Sequence, residues 1–136
     1  MKKILLFALI AGLFAACKKE DTPSRKSLLT GTWRRTFDAQ DTNRNQTLDA
    51  AERKLVTDMT VLNAVYTFKD DGSGTIIGSG TTIPFNWALT GDDQQFVFST
   101  ATSGSDTSYI HTLTSGDLVL EYRRQIGGYY WRGLRK

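Results

Sequence analysis

Side chains that carry oxygen recur at alternate positions in one short stretch of the chain, residues 41–52. In proteins Ca²⁺ takes about six to eight oxygen ligands from carboxylates, amides, backbone carbonyls and water. The three carboxylates of the stretch give it a formal charge of minus three, which Arg44 and Arg53 offset in part. The stretch therefore predicts a calcium site, with candidate ligands Asp41, Asn43, Asn45, Thr47, Asp49 and Glu52.

The same stretch resembles the twelve-residue calcium loop of EF-hand proteins. The resemblance implies that Thr47 binds through its backbone carbonyl, that Glu52 closes the site with both oxygens and that Leu48 fills the apolar position of the loop. Gln46 stands where the loop expects glycine, and a left-handed conformation there costs about 1–2 kcal/mol. We therefore expect weak binding, with a dissociation constant on the order of 10⁻⁴ to 10⁻³ M.

A capped helix is the alternative interpretation of these residues. Asp49 and Glu52 have the spacing of a capping pair for a helix that begins near Ala50. Helical spacing places four apolar residues on one face after the loop, namely Leu55, Val56, Met59 and Leu62. The sequence predicts this helix whether or not the loop binds calcium.

The rest of the chain offers little for catalysis. His111 is the only histidine and Cys17 the only cysteine, and they lie far apart in the sequence. His111 stands in a predicted strand near Ile110 and Leu113, so we expect a structural histidine and not a general base. We predict that the protein is not an enzyme.

The first seventeen residues have the layout of an export signal. Two lysines precede an apolar run over residues 4–14, and Ala15-Ala16 precede Cys17. The run is too short to remain as a membrane span. Small residues directly before a cysteine resemble the bacterial lipobox. This resemblance implies that residues 1–16 are removed, that Cys17 carries lipid and that the protein is anchored to the outer membrane.

Residues 18–21 resemble the lysine-plus-acidic signal that sends Bacteroidetes-type lipoproteins to the cell surface. A flexible tether is then predicted for residues 17–27, followed by one domain over residues 28–136. The alternative to a lipoprotein is a secreted protein without lipid, in which Cys17 is an ordinary free thiol. No second cysteine is present to form a disulfide, so packing must stabilise the domain.

The charge of the chain does not indicate nucleic-acid binding. There are 17 Lys and Arg against 14 Asp and Glu. Removal of Lys2 and Lys3 with the signal leaves 15 against 14, a net charge of +1. We expect a monomer that contacts the membrane through its lipid and does not bind nucleic acid.

The domain has a period-two pattern of apolar residues with turn residues at short intervals, which is typical of an all-β protein. We predict about eight antiparallel strands joined by hairpin turns, with one short helix after the first strand. An up-and-down barrel leaves no sheet edge open, whereas the alternative, a β-sandwich, needs longer crossovers. The predicted strands cover residues 31–38, 64–69, 74–78, 82–90, 95–99, 107–113, 118–124 and 129–135.

Four segments in this order resemble a Bacteroidetes lipocalin-like lipoprotein domain: residues 28–33, 66–74, 85–89 and 113–120. The Gly31-x-Trp33 pair is similar to the first lipocalin strand, where the tryptophan plugs the closed end of the barrel and a basic side chain lies over it. The resemblance implies that Arg132 or Arg135 has this second role.

The resemblance also implies a function. A lipocalin-like barrel binds a small apolar or amphipathic ligand, and the aromatic residues expected to line its interior are Tyr66, Phe68, Phe85, Trp87, Phe96 and Phe98. If these rings fill the barrel completely, the alternative is an envelope protein-interaction module. In that case Tyr129 and Tyr130 are expected as exposed contact residues.

Overall fold

A closed β-barrel forms most of the molecule. The structure is a computed structural model and describes residues 22–45, 47–124 and 128–136. Within them lie one helix, α1 (Arg25–Leu29), and nine strands: β1 (Gly31–Asp41), β2 (Thr57–Asp58), β3 (Val65–Phe68), β4 (Ser73–Gly78), β5 (Thr81–Thr90), β6 (Gln95–Thr100), β7 (Gly104–Leu113), β8 (Asp117–Arg124) and β9 (Gly128–Arg135).

Antiparallel pairing closes the barrel through its first strand. The strands from β3 to β9 follow each other in chain order, and β1 pairs with both ends of this series. Its first half pairs with β3 and its second half pairs with β9, with Arg34 at the change of partner. A bulge between Arg35 and Phe37 bends the strand where this change occurs. The predicted all-β up-and-down barrel is confirmed, and the sandwich is wrong.

Alternation along the strands puts large rings inside the barrel. The Phe68 ring packs edge-on against Phe85, with ring centroids 5.3 Å apart, and against Trp87 at 5.8 Å. Gly74 makes room for this cluster, because a Cβ atom there would lie 2.3 Å from the Phe85 ring. The rings of β3, β5 and β6 thus fill one side of the core.

Pro84 lies within β5 and not at its start. It is opposite Thr75 of β4, whereas pairing with β6 begins only at Asn86. The missing N–H of proline therefore costs no ladder bond on the β6 side. This explains how a proline fits within a strand of ten residues.

One end of the barrel is closed by α1. Ser24 caps this helix, because its side chain accepts a hydrogen bond from the backbone N–H of Ser27. Leu29, the last helical residue, is completely buried. The predicted tether over residues 17–27 therefore differs from the structure, in which the helix already begins at Arg25. Because α1 is short and Leu29 is its buried residue, the sequence shows no apolar periodicity that would predict the helix.

The insertion after β1 differs most from its prediction. Instead of one helix, the structure has two 3₁₀ turns, Glu52–Leu55 and Thr60–Leu62, separated by β2. The apolar residues expected to dock a helix are largely in solvent, since Leu55 is 62 % exposed. The β-branched residues of the segment and the pairing of β2 with Phe37 and Asp38 favour an extended path over a helix.

Candidate functional site

A cavity of about 160 Å³ lies inside the barrel between β3 and the strands β6 to β9. Its walls combine aromatic and aliphatic side chains with a few polar groups, an arrangement common in small-molecule sites. The lining residues are Tyr66, Phe68, Phe96, Phe98, Asp106, Ser108, Leu120, Tyr122, Arg132 and Leu134.

The structure separates the six rings predicted for the interior into two groups. Tyr66, Phe68, Phe96 and Phe98 line the cavity, whereas Phe85 and Trp87 do not. The latter two pack behind Phe68, and the Trp87 indole donates a hydrogen bond to the Ser73 carbonyl oxygen at 3.0 Å. The rings therefore do not fill the whole barrel.

A buried charge cluster borders the cavity through Arg132 and Tyr122. The Arg132 guanidinium contacts the Asp38 carboxylate at 3.3 and 3.5 Å, and Arg35 holds the same carboxylate through two hydrogen bonds. Tyr122 donates its hydroxyl proton to Asp38 at 3.0 Å and accepts a hydrogen bond from Arg132 at 3.1 Å. Arg132 also donates to the Tyr66 hydroxyl at 3.4 Å. Two guanidinium groups thus share one buried carboxylate.

The neighbours keep the cluster ionised in spite of its burial. Burial raises the pKa of Asp38, but the hydrogen bond from Arg35 and the charge of Arg132 outweigh it, so this pKa lies below its ordinary value. Burial lowers the pKa of Arg132, and the oxygens of Tyr66, Asp38 and Tyr122 more than compensate, so this pKa is raised. Arg132 is therefore a permanent cation beside the cavity.

Arg132 was predicted to lie over Trp33, and this differs from the structure. The cation over the Trp33 ring is the Lys136 ammonium, 4.7 Å from the ring centroid, while Arg132 lies over the Tyr122 ring at 4.5 Å. Arg135, the other candidate, pairs with Asp117 at 3.0 Å. Arg132 lies nearer the middle of β9, so its side chain reaches the cavity and not the closed end.

Trp33 itself has the predicted structural position. It is completely buried at the closed end, and its indole N–H donates to the Leu29 carbonyl oxygen at 2.6 Å. Lys136 donates hydrogen bonds to the carbonyl oxygens of Leu28 and Thr30 above it. The last residue of the chain thus joins α1 to the start of β1.

The candidate calcium loop forms successive turns held by its own side chains. Asp41 accepts a hydrogen bond from the Arg44 backbone N–H at 2.6 Å. Asn43 and Asn45 each accept one from the backbone N–H two residues further along, at 3.0 and 2.8 Å. In these turns one side-chain oxygen each of Asp41, Asn43 and Asn45 accepts from the backbone of the loop, and Thr47 donates the last of these bonds. Gln46 lies outside the described residues.

The end of the loop forms the capping pair that the sequence offered as an alternative. The Asp49 carboxylate accepts from the Glu52 backbone N–H at 3.0 Å, and Glu52 accepts from the Asp49 backbone N–H at 3.4 Å. Glu52 is completely buried and also accepts from the Thr42 backbone N–H at 2.8 Å. Along the described part of the chain, no three His, Cys, Asp or Glu side chains are grouped to hold a metal. The donor types fit calcium, while the carboxylates of Asp49 and Glu52 are engaged by the backbone.

His111 is paired and lies outside the cavity. Its Nε2 atom is 2.9 Å from the Glu121 carboxylate, and its ring meets the Trp131 ring edge-on with centroids 4.5 Å apart. None of these three residues lines the cavity. His111 lies in a strand, as predicted, and Glu121 is its partner.

Sequence reasoning missed half of the cavity wall. Five lining residues were not predicted as site residues, namely Asp106, Ser108, Leu120, Tyr122 and Leu134, and neither was Asp38, which supports the cavity wall from behind. Alternation along β8 puts Leu120 and Tyr122 on the same face as the core, and this signal was available. The position of Asp38 depends on the bulge in β1, which no sequence pattern marks.

The residues predicted to serve export and membrane anchoring lie outside the part of the chain that the structure describes. Cys17 and residues 18–21 lie outside the described residues. In the portion that is described, no helix is long and apolar enough to cross a membrane.

Comparison with known proteins identifies the family of the barrel. A lipocalin-like protein from Bacteroides uniformis has the same fold at 19 % identity and a TM-score of 0.57, over 80 % of this chain and 98 % of that one. A DUF4847 family protein from Bacteroides vulgatus is similar at 16 % identity and a TM-score of 0.52, over 78 % and 92 % of the two chains. No curated protein matches the chain. The family model described as a lipocalin-like domain matches residues 29–120, and the chain therefore belongs to the lipocalin-like domain family.

Proposed function

We propose that this protein is a non-enzymatic binding protein that holds a small apolar or amphipathic molecule inside its barrel. The observation that carries the proposal is the cavity of about 160 Å³ beside the Arg132 cluster. An engineered cavity of about 150 Å³ binds benzene, so this volume suits a ring or a short chain. His111 is the only histidine in the sequence. It pairs with Glu121 and does not line the cavity.

Native mass spectrometry of the protein from the envelope of its source organism tests the proposal. We expect an organic molecule to co-purify with it. Ser108→Phe places a ring in the cavity and should abolish binding, whereas Thr107→Phe adds the same ring at the exposed neighbouring position and should preserve it. Binding that survives in Ser108→Phe, with the variant folded by circular dichroism, would contradict a ligand site in the barrel.

We also propose that the loop over residues 41–52 binds calcium weakly and that the ion orders the insertion. The support is the spacing and type of the oxygen-bearing side chains, and the loop of successive turns in which Asp41, Asn43 and Asn45 lie. The test is calcium titration by calorimetry after chelation. Glu52→Gln should abolish binding, while Asp58→Asn, which removes an acidic group of the same insertion outside the loop, should not. Equal calcium heats in wild type and Glu52→Gln would reduce the loop to a capped turn.

Attachment to the outer membrane through Cys17 is a further part of the proposal. Its support is the sequence around Cys17 and the position of α1, which begins the barrel eight residues later, at Arg25. Cells grown with an alkyne-labelled fatty acid should label the wild-type protein and not Cys17→Ala. An unlabelled wild type in the soluble fraction would indicate ordinary secretion, and a labelled Cys17→Ala protein would show that the lipid is attached at another residue.

A second candidate is an envelope protein-interaction module. The aromatic residues first expected as its contacts are half-buried, since Tyr130 packs on Tyr122 with ring centroids 5.9 Å apart. Exposed apolar residues of the insertion favour it instead, because Val61 is 81 % exposed and Leu55 is 62 % exposed. This candidate predicts cross-linking of Val61 to an envelope protein and no co-purified small molecule.

A further inference from the structure

We propose that the cavity selects an anion, so that the ligand carries a carboxylate which pairs with the Arg132 guanidinium while its apolar body lies on the aromatic floor. This inference rests on the proposed ligand-binding function and adds the chemical class of the ligand.

The buried charges next to the cavity do not balance. Arg35 and Arg132 bring two positive charges, and Asp38 brings one negative charge. Only 6 % of the Asp38 side chain and 23 % of the Arg132 side chain are exposed, so water screens this cluster poorly. Asp106 also lines the cavity, but it is exposed to solvent, where its charge is screened. Among the residues that the structure describes, the set of Arg35, Arg132 and Asp38 therefore has one positive charge in excess.

Of the two arginines, Arg132 is the one that serves the cavity. Arg35 binds Asp38 through its Nε and Nη2 atoms and does not line the cavity. The contacts of Arg132 to the same carboxylate are longer, at 3.3 and 3.5 Å, and Arg132 does line the cavity. A short charge-assisted pair has an N–O distance of about 2.7–2.9 Å, so Arg132 gains from a second, closer anion.

Two hydroxyl groups complete the site. The Tyr66 hydroxyl accepts a hydrogen bond from Arg132, and within the described residues its own proton has no acceptor. Ser108 is buried and lines the cavity, so its hydroxyl belongs to the polar part of the cavity wall. Buried hydroxyl groups gain from a partner, and a carboxylate accepts from both as well as from a guanidinium. Tyr122, whose proton is donated to Asp38, positions Arg132 from behind.

The opposite wall of the cavity is apolar and would contact the apolar part of the ligand. Phe68, Phe96 and Leu134 are almost fully buried and form the deep side of the cavity towards the closed end. The volume of about 160 Å³ accommodates a benzene-sized body. An aromatic or short aliphatic carboxylate fits both walls. A cation would be repelled by the Arg132 guanidinium, and a neutral molecule would leave the positive charge of Arg132 without this second anion.

Calorimetry with two isosteric pairs tests the inference on the full chain. Benzoate is compared with benzamide, and hexanoate with hexanamide, at pH 7, so that each pair differs in charge and hardly in shape. We expect the carboxylate of at least one pair to bind ten-fold or more tightly than its amide. The pair that shows the larger difference tells whether the ligand body is a ring or a chain.

Variants connect the preference to the cluster. Arg132→Met should remove the preference and still fold, because Asp38 keeps its pair with Arg35. Tyr66→Phe, which removes only the hydroxyl, should weaken carboxylate binding about three- to ten-fold. Arg135→Met removes an exposed arginine outside the cavity and should change nothing.

The failure of this inference can be told from the failure of the proposed function. Amides that bind as well as carboxylates, or a preference that survives Arg132→Met, would overturn the anion site and leave a ligand-binding barrel. If no carboxylate or amide binds and no organic molecule co-purifies, both are wrong.

Discussion

Asp38 receives hydrogen bonds from Arg35, Arg132 and Tyr122 in a place that water hardly reaches. Its carboxylate is what permits two guanidinium groups inside a barrel of aromatic rings. A buried ion pair costs desolvation, but removing one partner is worse, because it leaves uncompensated charge. At the scale of the single residue, Asp38 therefore stabilises the fold, and Arg132 provides the charge that a ligand meets.

Asp38→Asn should lower the free energy of unfolding at pH 7 by about 3–5 kcal/mol, because both arginines then lack their counter-ion. The variant should also respond less to acid. The folded pKa of Asp38 lies below its ordinary value of 3.8. Its stabilisation is therefore present above the ordinary carboxylate pKa and is lost as the pH falls through the folded pKa. Urea unfolding from pH 7 down to pH 2 measures both effects.

Asp117→Asn is the matched control, since it removes a carboxylate whose partner Arg135 is mostly exposed. Its cost should stay below about 1 kcal/mol. An Asp38→Asn protein with wild-type stability, or with the same loss of stability on acidification, would show that the cluster is not ionised as described.

Lys136→Met should cost about 1 kcal/mol, because the ammonium lies over Trp33 and binds the carbonyl oxygens of Leu28 and Thr30. Lys136→Arg keeps the charge and should recover most of this stability. Urea unfolding followed by tryptophan fluorescence is the measurement. If Met and Arg at this position are equally stable, the charge at the closed end has no effect.

At the scale of the elements, two strands approach closely because a glycine faces a ring. A Cβ atom at Gly133 of β9 would lie 2.0 Å from the Phe37 ring of β1. Gly133→Ala should therefore destabilise the protein by about 1–3 kcal/mol through forced movement at the barrel seam. Gly116→Ala, where no atom lies within 4 Å of the added Cβ, should stay within about 0.5 kcal/mol of wild type. Thermal unfolding of the two variants gives the comparison, and equal melting temperatures would contradict the tight seam.

The strands could be predicted from the sequence because each carries its own local signal. Alternation such as Leu118, Leu120 and Tyr122, bounded by turn residues, predicts a strand whatever its partners are. The insertion misled prediction because helical spacing of Leu55, Val56 and Met59 is only a preference, and pairing of β2 with β1 overrides it. The cavity could not be predicted, since its volume depends on which short side chains face which rings across the barrel.

The candidate calcium loop could be predicted from the sequence only in part. Its local hydrogen bonds are encoded in short spacings, and the capping pair of Asp49 and Glu52 forms as the sequence suggested. Spacing alone does not tell whether these oxygens serve an ion or the backbone, because Asn and Asp form the same turns for both purposes. This part of the site stays a prediction that calcium titration decides.

At the scale of the whole molecule, we expect the closed barrel to be more stable than the insertion between β1 and β3. The pairing of β1 with β9 runs over residues 34–41 and joins the two ends of the barrel. The insertion contributes a strand of two residues, and its Val61 is 81 % exposed. Regions with few buried apolar contacts open at lower free energy than the core. The insertion and the barrel should therefore behave as separate units on unfolding.

Hydrogen exchange of the backbone amides is expected to show this separation. Amides of the insertion over residues 52–62 should exchange at least about a hundred-fold faster than those of β8 and β9, which open only with the whole barrel. Mild denaturant should accelerate the barrel amides strongly and the insertion amides hardly, because local opening exposes little surface. Protection of the insertion at the level of β9 would contradict this view, since it would make residues 52–62 part of the same cooperative unit.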